Sequence, residues 1–265
     1  MISILRAPLD VDGAKLLHEL FAKRYELFVE GRGWRALARP DHLDIESLTP
    51  TWEYKLMISI LRAPLDANDA KLLHDLFAKR YELFVEGRGW RALARPDHLD
   101  IDQYDDDQTT YVIKQIGGTI VGGARLRPTV RRHMLRDVFG DLCDGGCPPV
   151  GPTVYECSRT FVARRHPERR AIFTEVLLAV AQYCVANGVD TLTGVLETWW
   201  LNSYLALGLS ATPLGMPHDV EGMSLLAVSF KIDACVRDNL STRLAMLGKA
   251  ANGSRERLQH ALHAA

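Results

Sequence analysis

One segment of this chain occurs twice, and this duplication limits how the chain can fold. Met1–Ile45 aligns with Met57–Ile101 at a constant offset, and the copies differ only where Val11 pairs with Ala67, Asp12 with Asn68, Gly13 with Asp69 and Glu19 with Asp75. Repeat architectures usually need about three or more units to bury a continuous core. The sequence therefore predicts a single domain that uses one copy, together with a partial duplicate of its N-terminal segment.

The two copies continue differently, which indicates the copy that belongs to the domain. The first runs on as ESLTPTWEYKL and the second as DQYDDDQTTYVI. The second continuation enters a pattern of strands and helices that extends through the rest of the chain. We therefore expect the domain to cover residues 57–265 and residues 1–56 to be dispensable, as after a recent duplication or a true start at Met57.

Composition and charge argue against several classes of protein. The 265 residues carry a formal net charge of −1, so no overall attraction to nucleic acid or to a membrane surface is expected. No apolar run reaches the ~18 residues of a membrane span, and MISILRAPLD at the start lacks the pattern of a secretory signal. The five scattered cysteines are typical of the reducing cytoplasm, where we expect the protein to reside. Their spacing predicts no metal site.

Hydrophobic periodicity predicts a mixed α/β domain. Strands are expected where short β-branched runs occur and helices where apolar residues recur every three or four positions. A hairpin is expected at Gly117-Gly118 and a short helix after the last strand. Because helices alternate with strands after the hairpin, we expect three layers around a mixed sheet. The predicted helices are Ala70–Glu86, His133–Leu142, Glu168–Asn187 and Thr198–Leu207, and the predicted strands are Thr109–Ile116, Thr119–Arg127, Val154–Ala163, Asp190–Leu196 and Ser224–Ile232.

Several charged residues lie in apolar surroundings. They are Arg80, Asp102, Asp105, Arg125, Glu156 and Arg159. One interpretation is a buried ionic network, in which removing one partner of a pair costs about 3–5 kcal/mol. The alternative is a solvated rim of weak surface pairs. Because Glu156 and Arg159 are three positions apart, a regular strand would put them on opposite faces. If both line one site, the strand must contain a bulge or a local splay near Cys157, and we predict such an irregularity.

The order and spacing of the motifs resemble the LuxI-type acyl-homoserine lactone synthases. The matching motifs are RYELF and GW, DIDQYD, GGARLRPT followed by HMLRDVF, and YECSRTFV. This resemblance implies a GNAT-like α/β/α sandwich around a mixed, mostly antiparallel sheet. It also implies an acyltransferase that makes a quorum-sensing signal. In that reaction the amine of S-adenosylmethionine takes the acyl group of an acyl-carrier-protein or acyl-CoA thioester, the lactone closes, and methylthioadenosine leaves.

The resemblance also assigns roles to residues of this chain. S-Adenosylmethionine is a substrate rather than a cofactor, and no cofactor is expected. Its cationic groups favour carboxylates and aromatic faces. Glu156 is the expected general base, since a carboxylate in a closed apolar site can acquire a suitable pKa. With Arg159 it forms the predicted catalytic pair. The residues expected at the substrate are Arg80, Phe84, Trp90, Asp102, Asp105 and Arg125.

Two further features bear on the acyl donor. Arginines cluster where a helix starts, and they could dock the phosphate of a donor or an acidic carrier protein, or simply form a solvated turn. They are Arg164, Arg165, Arg169 and Arg170. Thr191–Val195, Trp199 and Trp200 could line an acyl pocket for a short, branched or aromatic chain, or belong to the ordinary core. Two alternatives to the synthase stay open: a CoA-dependent N-acyltransferase with another amine acceptor, and a non-catalytic ligand-binding module.

The duplication generates a direct prediction. In the first copy, Glu46 and Thr49 stand where the second has Asp102 and Asp105, so the first copy cannot form a second site. A chain that starts at Met57 should fold and synthesise lactone as well as the full-length protein. Solubility and product formation of the two forms, compared side by side, check this. A truncated chain that fails to fold or to make product would show that residues 1–56 are a working part of the enzyme.

Overall fold

The computed structural model describes residues 57–263 apart from Arg165 and Glu221, and side chains as far as Gly248. The first copy of the duplication, and with it the prediction that residues 1–56 are dispensable, lies outside the described residues. The described helices are α1 (Ala67–Arg80), α2 (Met134–Asp137), α3 (Arg169–Ala186), α4 (Thr198–Ala206) and α5 (Ala234–His263). The described strands are β1 (Ile58–Arg62), β2 (Thr110–Ile116), β3 (Thr119–Pro128), β4 (Val154–Val162), β5 (Thr191–Glu197), β6 (Ala211–Pro213), β7 (His218–Val220) and β8 (Met223–Lys231).

The described strands form one eight-stranded sheet. Its order is β1-β2-β3-β4-β5-β8-β6, and β7 also pairs with β8. Every neighbouring pair is antiparallel except β4 and β5, which are parallel. The predicted hairpin between β2 and β3 is confirmed, because Ile116 pairs with Thr119 and both turn glycines have positive φ.

Helices cover both faces of this sheet. On one face α3 packs against Val112, Ala124 and Leu126, and the cluster continues to Val228 on β8. On the other face α1 packs its Leu76 and Phe77 against Tyr111 and Ile113. Successive residues of a strand point to opposite faces, so one strand supplies both cores. The predicted three-layer arrangement around a mixed, mostly antiparallel sheet is confirmed.

The ends of two helices differ from the sequence prediction. The first helix begins at Ala67, where the Asp66 carboxylate accepts a hydrogen bond from the Asp69 N–H at 2.8 Å. After Arg80 the backbone widens into a π-helical turn at Tyr81–Glu86. Hydrophobic periodicity does not separate an α-helix from a single π turn. The last helix, α5, is long rather than short.

The parallel strands β4 and β5 diverge along their length. Their pairing covers only Val154–Glu156 against Thr191–Thr193, although both strands continue beyond it. At Gly194, a side-chain Cβ would come within 2.6 Å of the Cys157 carbonyl oxygen, so only glycine allows the close approach there. Beyond this point the strands separate and open a cleft towards their carboxyl ends.

Strand β4 contains the irregularity that the sequence predicts. Arg125 pairs with Ser158 and Gly123 with Phe161, so β4 has one residue more than β3 over this stretch. The extra residue lies at Arg159, whose φ of 51° is in the left-handed region, and not at Cys157. The predicted bulge is therefore confirmed, two residues further along the strand.

Two properties of the described residues bear on partners. Within that part of the chain, no helix has the length and apolar composition that crossing a membrane would require. Among the same residues, no group of three or more His, Cys, Asp or Glu side chains is placed to hold a metal ion.

Candidate active site

Arg80, the last residue of α1, lies almost fully buried between two carboxylates. Its Nε donates to Asp100 at 2.9 Å, and its two terminal nitrogens donate to the two oxygens of Asp105 at 2.9 and 3.0 Å. The Tyr111 hydroxyl donates to Asp105 as well, at 3.1 Å. The arginine that interrupts the apolar stripe of the helix thus has the carboxylate partners that burial requires.

Arg125 and Arg159 extend the same cluster. Arg125 on β3 donates to Asp102 at 2.7 Å and to the Ser158 hydroxyl at 2.9 Å. Arg159 on the β4 bulge donates to Asp100 at 2.8 Å and to Asp102 at 3.2 Å. The predicted buried network is confirmed. We call the six residues Arg80, Asp100, Asp102, Asp105, Arg125 and Arg159 the ionic network.

Asp100 belongs to the network but was not among the sequence-predicted site residues. Its side chain is 1% exposed and bridges Arg80 and Arg159, which come from different elements. The available signal was the segment LDID, in which carboxylates alternate with the apolar Leu99 and Ile101. That alternation is typical of a chain with one polar, inward-facing side.

The arginines keep the buried carboxylates ionised. Burial alone would raise the pKa of Asp105, but Arg125 and Arg80 outweigh it and hold that pKa well below its usual range. Burial likewise opposes Arg159 and Arg80 at Asp100, and the pKa of Asp100 is also lowered. These folded-state pKa values lie below those of the unfolded chain. The network therefore stabilises the fold above ~pH 4, and this contribution is lost as the pH falls through the folded values.

The carboxylates are presented by a tightly turned loop. The Asp102 N–H donates to Asp105 at 3.0 Å, and the Tyr104 N–H donates to Asp102 at 2.9 Å. Arg127 on β3 donates to the Tyr104 carbonyl at 2.9 Å and pairs with Asp106. Asp102 remains 10% exposed, whereas Asp105 is sealed at 0%. Asp102 is thus the network carboxylate with access to a ligand.

An aromatic wall lies beside the network. Phe84 and Trp90 stack with their ring centroids 4.9 Å apart. The Arg159 guanidinium carbon lies 5.7 Å from the Phe84 centroid and 5.4 Å from that of Trp90. The π-helical turn that ends α1 places Phe84 here, and the following loop returns Trp90 against it. Rings and carboxylate together form a surface suited to a cationic ligand.

A cavity of about 480 Å³ joins this wall to the cleft between β4 and β5. Its polar end includes Asp102, Trp90 and Arg159. Its other end is apolar and runs between α3, β5, β8 and α5. The residues that line the apolar end include Leu177, Val180, Leu192, Trp200, Tyr204, Val228, Phe230 and Leu240. One cavity is therefore lined by charged and aromatic residues at Asp102, Trp90 and Arg159 and mainly by apolar residues elsewhere. We call these two parts of it the polar chamber and the apolar chamber.

Glu156 lies beside the cavity rather than in its wall. The lining of β4 begins at Cys157, and the Glu156 side chain is fully buried. Its two carboxylate oxygens accept the backbone N–H groups of Met134 and Leu135 at the start of α2. Met134 lines the cavity and contacts Arg159 through its sulfur at 3.9 Å. No pattern in the sequence indicated that Glu156 would cap α2.

The remaining predicted residues lie just after β4, at the start of α3 and on α4. Arg164 follows β4, and Arg169 and Arg170 begin α3 with exposed side chains. Arg165 lies outside the described residues. Trp200 lines the cavity, but Trp199 is 55% exposed and packs on Trp200 at 4.7 Å from the solvent side.

Comparison with known proteins identifies the family. Residues 65–238 match the family model of the autoinducer synthases. The chain belongs to the autoinducer synthase family. It is 37% identical over 178 residues to the isovaleryl-homoserine lactone synthase of Bradyrhizobium diazoefficiens, covering 66% of this chain and 80% of that protein. It is 30% identical over 176 residues to the acyl-homoserine-lactone synthase of Pseudomonas aeruginosa, covering 66% and 86%.

Solved structures agree with the sequence relatives. A CoA-dependent acyl-homoserine lactone synthase with S-adenosylmethionine and isopentyl-CoA matches with a TM-score of 0.68 and 34% identity, covering 71% of this chain and 89% of that one. A second CoA-dependent synthase matches with a TM-score of 0.63 and 28% identity, covering 71% and 95%. The autoinducer synthase is thus an acyltransferase with the predicted GNAT-like fold, and the predicted synthesis of acyl-homoserine lactone is confirmed.

Removing one carboxylate should show that the ionic network supports the fold. Asp100→Asn leaves Arg80 and Arg159 short of a negative partner, so the free energy of unfolding should fall by about 3–5 kcal/mol. Urea unfolding at pH 7 measures it. Asp97→Asn is the control, since Asp97 pairs with Arg95 in the same loop but is exposed to water, and it should leave stability almost unchanged. Equal, small losses in both variants would contradict a structural role for the network.

Proposed function

We propose that this autoinducer synthase transfers the acyl group of an acyl-CoA to the amine of S-adenosylmethionine. The carboxylate of the acylated product then attacks its own γ-carbon, which closes the lactone and releases methylthioadenosine. The continuous two-chambered cavity carries this proposal, because one chamber suits a cationic substrate and the other an acyl chain. A CoA donor is supported by the similar CoA-dependent synthase that holds isopentyl-CoA.

We assign S-adenosylmethionine to the polar chamber. Its ammonium group favours the partly exposed carboxylate of Asp102, and its sulfonium favours the faces of Phe84 and Trp90. The sealed members of the network, such as Arg80 and Asp105, act by holding Asp102 in place. Of the predicted substrate residues, Asp102, Phe84 and Trp90 would therefore contact S-adenosylmethionine directly. The other three, Arg80, Asp105 and Arg125, would have a positioning role.

We assign the acyl chain to the apolar chamber. Trp200, Tyr204 and Phe230 bring large rings to its lining, and they favour a compact or branched acyl group. The relative from Bradyrhizobium diazoefficiens is named for an isovaleryl product. An acyl-carrier protein is the alternative donor, and its acidic surface would dock on the exposed Arg164, Arg169 and Arg170.

The chemistry needs a proton acceptor and a site for negative charge. The amine must lose a proton to attack the thioester carbonyl, and the thiolate of CoA leaves. Glu156 is our candidate base, acting through a water. It immediately precedes Cys157, the first residue of β4 that lines the cavity. Backbone N–H groups of β4, beyond its last pair with β5, would stabilise the oxyanion. No cofactor is required, because the thioester and the sulfonium are already activated.

The reaction can be tested with the purified full-length protein. S-Adenosylmethionine labelled in its methionyl carbons is incubated with isovaleryl-CoA, with longer acyl-CoAs and with the corresponding carrier-protein thioesters. Mass spectrometry should detect labelled acyl-homoserine lactone and an equal amount of methylthioadenosine, fastest with the compact acyl-CoA. Consumption of S-adenosylmethionine without labelled lactone or methylthioadenosine would contradict lactone synthesis. Faster turnover with the carrier-protein thioester would show that the acyl-carrier protein, rather than CoA, is the donor.

Glu156 can be tested as the base by Glu156→Gln. This isosteric change should lower kcat by about 10²–10⁴, the usual contribution of a general base. Because Glu156 also caps α2, the free energy of unfolding is measured in parallel. Loss of stability with an unchanged kcat in the folded variant would leave Glu156 as an anchor of α2 only.

A further inference from the structure

A salt bridge between Arg88 and Glu197 joins the two sides of the cleft. Arg88 follows the π-helical turn, Glu197 ends β5, and both line the cavity. The Arg88 Nη1 donates to the Glu197 Oε1 at 2.7 Å. The Trp199 Nε1 donates to the other oxygen of Glu197, also at 2.7 Å. Glu197 would therefore stay in place if Arg88 released it.

This salt bridge differs from the sealed ionic network. The side chains of Arg88 and Glu197 are 20% and 21% exposed, whereas Arg80 and Asp100 are each 1% exposed. A guanidinium has five N–H donors, and among the described contacts Arg88 uses one for a hydrogen bond. Phe84 and Trp90 hold it from one side, with centroids 5.5 and 5.9 Å from its central carbon. Arg88 is thus a positioned cation with unused donors beside solvent.

A second cation lies near Arg88. Burial lowers the pKa of Arg88, Glu197 opposes that effect, and the nearby cation of Arg164 lowers the pKa further. Arg164 follows the carboxyl end of β4, so two cations lie at the edge where β4 and β5 separate. Such an edge favours an anion with more than one charge.

We propose that Arg88 binds a phosphate of the acyl donor, and that Glu197 is the internal anion which this phosphate displaces. The proposal rests on the proposed function, since it concerns the donor of that reaction. A guanidinium binds phosphate through two parallel hydrogen bonds, which a single bond to Glu197 does not match. S-Adenosylmethionine also carries an anion, its carboxylate. The phosphate is favoured because β4 and β5 diverge towards the edge where Arg88 and Arg164 lie.

Two substitutions in the full-length protein show whether phosphate displaces Glu197 from Arg88 or whether the salt bridge only holds the two sides of the cleft together. Arg88→Met should raise the Kd for CoA, measured by calorimetry, and the KM for acyl-CoA by about tenfold, as expected for a lost charge-assisted hydrogen bond. Glu197→Gln should lower both by about two- to fivefold, since it removes a competing, partly exposed ion pair. Both variants should leave the KM for S-adenosylmethionine unchanged.

Matched controls use a donor without phosphate or a different substitution. With acyl-pantetheine, which has no phosphate, the KM should be the same for the parent and both variants. Arg95→Met, at an exposed arginine paired with Asp97, should leave the Kd for CoA unchanged. Arg88→Lys keeps the charge without the planar fork, and should lie between the parent and Arg88→Met.

Three results would overturn the proposal. Weaker CoA binding in both Arg88→Met and Glu197→Gln would show that the pair only holds the cleft together. A raised KM for S-adenosylmethionine in Arg88→Met would assign the anion to its carboxylate. An effect that persists with acyl-pantetheine would exclude the phosphate. CoA binding is measured without turnover. A protein that makes no lactone would contradict the proposed function, but its Kd for CoA would still test the binding of phosphate by Arg88.

Discussion

The guanidinium groups of Arg80, Arg125 and Arg159 hold buried carboxylates that lie between α1, the sheet and the following loop. Each arginine comes from a different element, and Asp100 and Asp105 each touch two of them. None of these charges can be buried alone, because desolvation of an unpaired ion costs several kcal/mol. The elements must therefore assemble together, and their relative positions are fixed by the same contacts that neutralise the charges.

The shape of the site follows from this assembly. To reach Asp100, Arg159 adopts a left-handed backbone conformation, which creates the bulge in β4. Gly194 of β5 packs against the Cys157 carbonyl of β4, and beyond this contact the two strands separate. The cleft and the cavity open where the ladder stops. Asp102, whose side chain is the most exposed of the network, lines the same cavity as Phe84 and Trp90.

Local pattern predicted much of this arrangement. The apolar stripe located α1, the Gly-Gly pair located the hairpin, and the three-residue spacing of Glu156 and Arg159 suggested an irregularity in β4. Other features depend on contacts between residues far apart in sequence. Asp100 could not be ranked above its neighbours without knowing that α1 and β4 both reach it. The capping of α2 by Glu156 depends on how β4 lies against a distant loop. Hydrophobic periodicity does not report such long-range contacts, and it did not indicate the salt bridge between Arg88 and Glu197.

Calorimetric titration of S-adenosylmethionine into the parent protein and Asp102→Asn tests most directly whether the ionic network builds the substrate site. Asp102 is held by Arg125 and Arg159 yet keeps access to the cavity. Asp102→Asn should therefore weaken binding by about tenfold or more, the factor for a lost charge-assisted contact, with a smaller loss of stability than for the sealed Asp100. Unchanged affinity for S-adenosylmethionine in a folded Asp102→Asn variant would contradict the account.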